Sequence, residues 1–534
     1  MFSKKKKLLN KIRSEWGMEI NRKRDFNLIS LFFRLNDNTD YELVDDTTWS
    51  DLNMDDFFSK IDRTTTPIGS QYLYQRMRTY EPDTGTLNKQ YELYRFLSNN
   101  DKIREEIQLI LSKLDTRNSF YLPNLLFKEQ PVRPRWYFIF YVLSFASIVS
   151  MVLIYFYPFF FLIALSIILI NLVVEHLYGK NAIGYSIDIS ALSILLRVGI
   201  QLSEIKKSEK IKQLENLKGY RTFSKSLLKK IWWLTVDKTR LNELSAALIE
   251  YLNHFCLFNL VAYVRSIHLI KNHQPEIQRI FELVASLDSA ISIASYLSEN
   301  KKHCVPSFNK TNTINFDEVY HPLLDKPVPN SIALDGKSCL VTGSNMAGKT
   351  TFIKTVAINF LLAQTLNFTL AKKANIPKLF VKTSIKRTDD ITEHKSYYFR
   401  EIEALLEFIK LNKYQGQYIF IIDEIFRGTN TVERISAATS VLKYLAAQNY
   451  TFVTTHDIEL QDLLTENFEM YHFSEQVSDG RFYFDYRINP GPCSSRNAIK
   501  LLELKGYPDN IIKEANELAL KVSSQVDEVR EKLV

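Results

Sequence analysis

The sequence predicts a multidomain fold: a mainly α-helical region interrupted by a two-helix apolar hairpin, followed by an α/β domain. Three observations carry this. A short apolar strand, Cys339-Leu340-Val341, breaks at Gly343, and a helix opens at Gly348-Lys349-Thr350, which is the spacing of a P-loop. A second apolar run, Tyr418 to Ile422, ends in Asp423-Glu424, as expected of a parallel strand buried on both faces with two carboxylates at its carboxyl end. From Trp136 to Val174 no residue is charged, and Tyr157-Pro158 divides that stretch into two segments, each near the length that crosses a bilayer.

The 534 residues leave room for two to four domains. A net charge of +8 suits a nucleic acid or an anionic lipid without choosing between them. The cysteines Cys256, Cys304, Cys339 and Cys493 form no C-x-x-C pair, which points to a reducing compartment and away from a zinc site. Only 15 glycines in this length predict few tight turns and long helices.

Residues 1–42 form a basic N-terminal helical segment, opening Met1-Phe-Ser-Lys-Lys-Lys-Lys, with no signal-peptide apolar core. It fits a helix on anionic lipid or a phosphate-contacting arm, and a solvated basic helix as well as those two together. Residues 43–135 read as helices separated by turn chemistry. The hairpin, 136–178, has aromatics where interfacial rings belong: Trp136, Tyr137 and Tyr141 at one end, Tyr155 and Tyr157 at the turn, Tyr178 at the other. Arg133 and Arg135 before it and Lys180 after it place both termini in the cytoplasm. A buried helical pair in a soluble core is the competing reading, and it needs partner surface all round both helices. Residues 179–306 are helical again, with Leu241, Leu244, Leu248 and Leu252 at spacings of three and four. The polar stretch Ser307 to Asn315 reads as a domain linker, and 307–534 is the nucleotide domain.

Within that domain the backbone of Gly343, Ser344, Asn345, Met346, Ala347, Gly348, Lys349, Thr350 and Thr351 is expected to wrap a phosphate chain at a helix N-terminus. Lys349 reaches the terminal phosphates, and Thr350 offers its hydroxyl to Mg²⁺. Asp423 is expected to hold the same ion, and Glu424 to orient or deprotonate the attacking water, a role worth about 10²- to 10⁴-fold in rate. A third apolar strand, Thr451 to Thr454, is followed by Thr455-His456, which places His456 to sense the γ-phosphate. ATP and Mg²⁺ are thus the expected substrate and ion.

Thr342-Gly-Ser-Asn-Met-Ala-Gly-Lys-Thr-Thr351, Asp423-Glu-Ile-Phe-Arg-Gly-Thr-Asn-Thr431 and Thr454-Thr-His-Asp-Ile-Glu-Leu460 resemble the ATPase domain of the MutS family of DNA mismatch-recognition proteins. The Asn345-Met346-Ala347 insert is absent from most P-loops. Ile61-Asp62-Arg63-Thr64-Thr65-Thr66-Pro67-Ile68-Gly69-Ser70-Gln71-Tyr72-Leu73 resembles the segment that opens the family's helical core domain, and Val284 to Ala294 resembles its lever helix. By that resemblance the α/β part is an ABC-type ATPase domain and the helical part a core and lever domain. Ser396 matches the serine that the family presents across a dimer interface to the partner's nucleotide, and Asp389-Asp390 match an acidic pair of that segment. Tyr320-His321-Pro322-Leu323-Leu324 resembles the lead-in to the nucleotide domain, which adds His321 to the binding residues. Ser494 to Leu502 and the helix Asp509 to Leu520 resemble the helices that pack at the family's dimer interface. Phe426 stands where the family usually has glycine, and Asn430 where it usually has serine.

The resemblance implies a homodimer acting on DNA. The stretch before the core segment is short for the family's mismatch-reading domain, and Phe127-Lys128-Glu129, which fits the letters of its Phe-x-Glu wedge, lies beside the hairpin. There is also little room for a clamp domain between Ala182 and Asn300. Expected recognition is therefore of DNA structure more than of a mismatch, by an ATPase tethered to the lipid bilayer through two spans. Two other readings compete. One is a membrane ATPase that drives transport or remodelling without DNA; two spans are few for a transport path, and the Ser396 segment has no Leu-Ser-Gly-Gly-Gln run. The other is a nucleotide-binding scaffold without turnover, which the presence of both Asp423 and Glu424 disfavours.

Overall fold

The computed structural model describes residues 2–36, 41–128, 135–206, 210–235, 251–344, 347–385, 397–426, 430–478, 481–493 and 506–518. The chain divides into two compact units, one of Met1–Tyr41 with Phe58–Lys301, the other of Glu42–Phe57 with Lys302–Val534. Among the positions singled out above, Asn345, Met346, Asp389, Asp390, Ser396, Arg133, Leu241, Leu244, Leu248, Leu520 and the stretch 494–502 lie outside the described residues.

The first unit is helical. Helix α1 (Pro67–Arg78) starts as its sequence dictates: Thr66 caps it by accepting from Gly69 N, and Pro67 occupies the first turn, where its missing N–H costs nothing. Two further helices, α2 (Phe138–Ile154) and α3 (Phe160–Ser203), form the hairpin, and α4 (Gln274–Glu299) is the core helix against which α1 packs. The segment just before α1 is clamped to α4. Asp288 of α4 accepts from Thr65 N at 3.0 Å, Thr66 N at 2.8 Å and Thr66 Oγ1 at 2.6 Å, and Arg63 N donates to Ser292 Oγ at 2.7 Å. A Cβ on Gly69 would lie 2.3 Å from the Asp288 carboxylate, so this close approach of helix to helix requires glycine. Buried Asp62 is held by Arg22 at 2.6 Å and Arg24 at 3.2 Å; burial alone would raise its carboxyl, and the two guanidiniums with Thr64 turn the net shift downward.

The hairpin is built inside out. The side chains that α2 buries are Phe140 and three serines, Ser144, Ser147 and Ser150, and in α3 Asn171 donates to Ser147 Oγ at 3.0 Å. Outward point Phe138, Val142, Phe145, Val152, Phe161, Leu165, Leu169 and Val173. The stretch Phe160–Tyr178 is only 11% buried, whereas the less apolar α4, also long enough to span a bilayer, is 89% buried. Helix α3 runs unbroken from the hairpin to Ser203, so no structural boundary falls at 178/179. Phe127, the aromatic of the Phe-x-Glu match, packs its ring on Phe32 at 4.9 Å and Phe281 at 5.9 Å, as a core residue does.

The second unit contains two sheets. Strands β1 (Ser307–Phe308), β2 (Thr313–Val319), β3 (Asn330–Asp335) and β5 (Lys373–Ile376) form a small sheet in the order β1-β5-β2-β3. The larger sheet has the order β10-β9-β4-β8-β7-β6, with β4 (Ser338–Thr342), β6 (Phe380–Ser384), β7 (Tyr418–Asp423), β8 (Tyr450–Thr454) and β9 (Phe468–Ser478) parallel and β10 (Arg481–Pro490) antiparallel. Central strands β4, β7 and β8 are buried almost throughout, which is why they read as continuous apolar runs. Helix α5 (Lys349–Leu366) follows β4 and is buried on nearly every side, its Phe360 ring 5.6 Å from Phe316 of β2. Helices α6 (Tyr397–Leu411) and α7 (Thr431–Ala446) enclose a cluster with Phe408, Phe420, Ile425, Phe426 and Leu442.

Two expectations change here. Ser307 to Asn315 is no linker: it supplies β1 and the start of β2, where Ile314 and Phe316 are buried and the polar letters form the outer face of a period-two strand. Residues Glu42–Phe57, read from sequence with the helical region, group with the sheet unit. The short helix Asp46–Asp51 lies along edge strand β6, and Asp51 Oδ2 accepts from Thr383 Oγ1 and Ile385 N, both at 2.8 Å. Lys382 pairs with Asp45 at 3.1 Å, and Lys354 of α5 donates to Asn53 at 3.0 Å. An edge strand covered in this way is closed to pairing with another chain.

Candidate active site

The parallel register decides which residues meet. Val341 of β4 pairs with Thr454 of β8, which pairs with Asp423 of β7, so three strands end side by side and present their carboxyl ends to one crevice. Gly343 then turns the chain at φ +128°, where a Cβ would lie 2.6 Å from the Phe473 carbonyl oxygen. Gly348, at φ +100°, sets the N-terminus of α5. Both positions need glycine for the conformation and the first also for the space.

Lys349, the first residue of α5, is 1% exposed and donates to the Gly343 carbonyl. A cation this deeply buried is placed where anionic oxygens would be held strongly. Thr350 Oγ1 lies 3.0 and 2.9 Å from the two Asp423 oxygens, and Thr454 Oγ1 lies 2.5 Å from Asp423 Oδ1. A hydroxyl and a carboxylate on neighbouring elements are hard oxygen ligands of the kind Mg²⁺ takes one or two of while keeping waters and phosphates for the rest. Consistent with so sparse a protein shell, the described residues contain no group of three or more His, Cys, Asp or Glu side chains fit to hold a metal.

Glu424 adopts φ +57° directly after β7, with its N–H donated to Thr454 O at 3.1 Å. That turn swings the carboxylate toward His456, whose Nε2 is 2.9 Å from Glu424 Oε1. The tautomer with hydrogen on Nε2 donates to Glu424, while Lys349 Nζ lies beside the ring, 3.4 Å from Nδ1 and 3.3 Å from Nε2. The loop carrying His456 is fixed by a two-pronged pair between Arg434 of α7 and Asp457, at 2.9 and 2.7 Å. Thr350, Asp423 and Thr454 thus form one side-chain group and Lys349, His456 and Glu424 another, and the two meet where the Glu424 N–H lies 3.2 Å from Thr454 Oγ1.

Beside them opens a cleft of about 420 Å³ lined by His321, Leu324, Val328, Gly348, Thr351, Phe352, Phe473 and Tyr486, a size that suits a small organic ligand. His321 thus lines the same cleft as Gly348 and Thr351 of the P-loop. Ser344 and Ala347 lie in the same loop, joined by Ala347 N to Ser344 O at 3.2 Å.

Several residues escaped sequence reading. Thr454 stood inside a quoted motif, and its hydroxyl role follows only from register. Phe473 and Tyr486 come from strands remote in sequence, Tyr486 at φ +55° where the β9-β10 pairing shifts register. Glu401 of α6, 5% exposed, accepts the backbone N–H of Phe426, which sits at φ +57°. The position where a glycine was anticipated is thus a left-handed one, occupied here by a buried phenylalanine under strain.

Comparison with known proteins adds the following. Residues 339–523 match the family model described as MutS domain V. The chain is 29% identical over 282 residues to the DNA mismatch repair protein MutS of Lactobacillus acidophilus, covering 50% of this chain and 32% of that protein. It is 30% identical over 224 residues to the MutS of Thermus thermophilus, 40% of this chain and 27% of the relative, and 27% identical over 270 residues to that of Streptococcus pyogenes, 48% and 31%. The chain spans about a third of the length of the curated relatives it matches.

Proposed function

We propose that this chain, a MutS-family protein by its match to MutS domain V over residues 339–523, binds and hydrolyses ATP, is tethered to a membrane by its apolar hairpin, and couples the nucleotide cycle to DNA. The observation that carries the ATPase reading is the gathering of Lys349, Thr350, Asp423, Glu424 and His456 where three parallel strands end. Loop 343–348 cradles the phosphates with backbone N–H groups, and the base lies in the cleft by His321 and Tyr486. Thr350 and Asp423 would hold Mg²⁺, which neutralises charge on the phosphate oxygens when bound. Glu424 accepts a proton from the attacking water, and His456 keeps that carboxylate aimed while reporting the terminal phosphate. Ser396 completes the neighbouring subunit's site in a homodimer, as the family resemblance implies.

The test is hydrolysis by purified protein. Glu424→Gln should keep nucleotide binding and lose turnover, whereas Lys349→Ala should weaken binding itself. Turnover by Glu424→Gln at the wild-type rate would show that the catalytic assignment is wrong.

The membrane reading draws on the inside-out hairpin, whose two helices of 17 and at least 19 residues turn apolar faces outward and serines inward. Both termini and the nucleotide unit then lie in the cytoplasm, where ATP is. Unmodified protein released to the soluble fraction by carbonate extraction would overturn it.

For DNA, contacts should fall mostly on phosphates, which position a protein without reading sequence. Binding should weaken with salt by a log–log slope of about −0.9 per phosphate neutralised. Homoduplex and single-mismatch duplex should bind alike, with branched or bent DNA better. The exposed hairpin favours one second reading, a membrane-remodelling or transport-linked ATPase of MutS ancestry that does not act on DNA. Absence of binding to any of these DNAs at low salt would select it.

A further inference from the structure

Three further segments of the helical unit gather at the base of the hairpin, and their composition is distinctive. The helix Arg221–Ile231 turns Ser224, Leu227 and Ile231 inward and leaves Lys225, Lys229 and Lys230 exposed. It runs directly into the turn Trp232–Thr235, in which Trp232 is 58% exposed. Trp232 thus offers an exposed amphipathic ring directly beside three lysines.

The level of this turn along the hairpin follows from contacts to α3. Asn171 donates to the Phe255 carbonyl at 2.6 Å, His254 pairs with Glu175 at 2.6 Å, and the Tyr263 ring meets that of Tyr185 at 5.1 Å. Phe258, which lies between these contacts, therefore runs alongside the stretch of α3 that holds Tyr178. Trp233 meets Phe258 at 5.1 Å, and Tyr178 meets Trp136 at 4.9 Å. Trp232 and Trp233 are thus level with the aromatic pair where the uncharged part of the hairpin begins, and the lysines adjoin them.

We propose that the helix Arg221–Ile231 with Trp232 is a second membrane contact that reads lipid charge: Trp232 sits at the headgroup level, and Lys225, Lys229 and Lys230 hold anionic phospholipid headgroups. The proposal rests on the reading of the hairpin as a bilayer span. Amphipathic rings belong at that depth, and basic side chains keep their stems on apolar surface while their charges reach phosphate. Clustered lysines beside a span are attracted to anionic lipid within about a Debye length, roughly 8 Å at physiological salt. DNA phosphate would satisfy the lysines as well, but it gives no reason for the exposed ring at the hairpin's base.

The test uses the full chain reconstituted in vesicles that contain brominated lipid, which quenches the tryptophans it touches. Emission is compared for wild type, Trp136→Phe and Trp232→Phe. Both substitutions should lower the quenchable fraction. The part that depends on Trp232 should be quenched more by brominated phosphatidylglycerol in a phosphatidylcholine background than by the same fraction of brominated phosphatidylcholine in a phosphatidylglycerol background. Lys225→Gln/Lys229→Gln/Lys230→Gln should abolish that preference and leave quenching of Trp136 intact. Quenching that depends on Trp136 but not on Trp232 would overturn the proposal while sparing the hairpin. So would a lipid preference that survives the triple substitution, or a triple variant that loses DNA binding and keeps its lipid preference. If neither tryptophan is quenched, the membrane reading itself fails and this contact with it.

Discussion

Replacing Glu401 should cost turnover without costing nucleotide binding, although this side chain is no part of the phosphate cradle. Phe426 holds a left-handed conformation that costs a non-glycine residue roughly 1 to 2 kcal/mol. Its N–H donates to the buried Glu401 carboxylate, and hydrogen bonds to charged groups contribute about 1.5 to 3 kcal/mol. The bond therefore outweighs the strain, and it holds the turn that begins at Glu424, itself at φ +57°. In Glu401→Ala the strain is no longer offset and a buried N–H loses its acceptor. A net swing of about 2 kcal/mol away from the observed turn corresponds to a loss in hydrolysis rate of roughly 30-fold. Glu401→Gln keeps a carbonyl acceptor and forfeits only the charge, so its loss should be about fivefold. Single-turnover hydrolysis, nucleotide affinity by fluorescent-analogue titration and thermal melting should be measured together. A folded Glu401→Ala protein that hydrolyses ATP at the wild-type rate would refute the reasoning, as would affinity falling in step with rate.

Other expectations follow from single sites. Gly343→Ala places a Cβ 2.6 Å from the Phe473 carbonyl oxygen at φ +128°, so it should abolish nucleotide binding and lower the melting temperature of the sheet unit; unchanged binding would contradict the geometry. If Ser396 completes the partner's site, mixing inactive Lys349→Ala with inactive Ser396→Ala protein should restore some hydrolysis, and failure of every mixture would speak for a self-contained site. Burial pushes the Asp288 carboxyl up to about 6 from an ordinary 3.8, against the donors Thr65 and Thr66 that favour its anion. The folded state then holds a proton that the unfolded chain has released, so stability should fall as pH rises through that window, by at most about 1.4 kcal/mol per pH unit. Denaturant titrations should show a flatter pH dependence for Asp288→Asn; an unchanged slope would assign the effect elsewhere.

The sequence by itself determined the elements that depend on local pattern. Continuous apolar runs became the central strands because both their faces are covered, and Thr66-Pro67 started a helix because cap and first turn are local chemistry. The P-loop was legible for the same reason, since Gly343 and Gly348 mark positive φ that few other residues accept. Uncharged length alone announced the hairpin. What the sequence left open was every contact made across long separations. Asp51 caps an edge strand more than 330 positions away, Asp288 seats a threonine pair 222 and 223 positions away, and Thr454 meets Asp423 because of register. Such bonds are single polar side chains at otherwise unremarked positions, and they carry no periodicity. Tertiary structure also decided which of two long apolar helices is core and which is bare, α4 at 89% buried against 11% for Phe160–Tyr178. Both pass for a span by length and composition although α4 is the less apolar, and it is the packing of neighbours around α4 that makes it core.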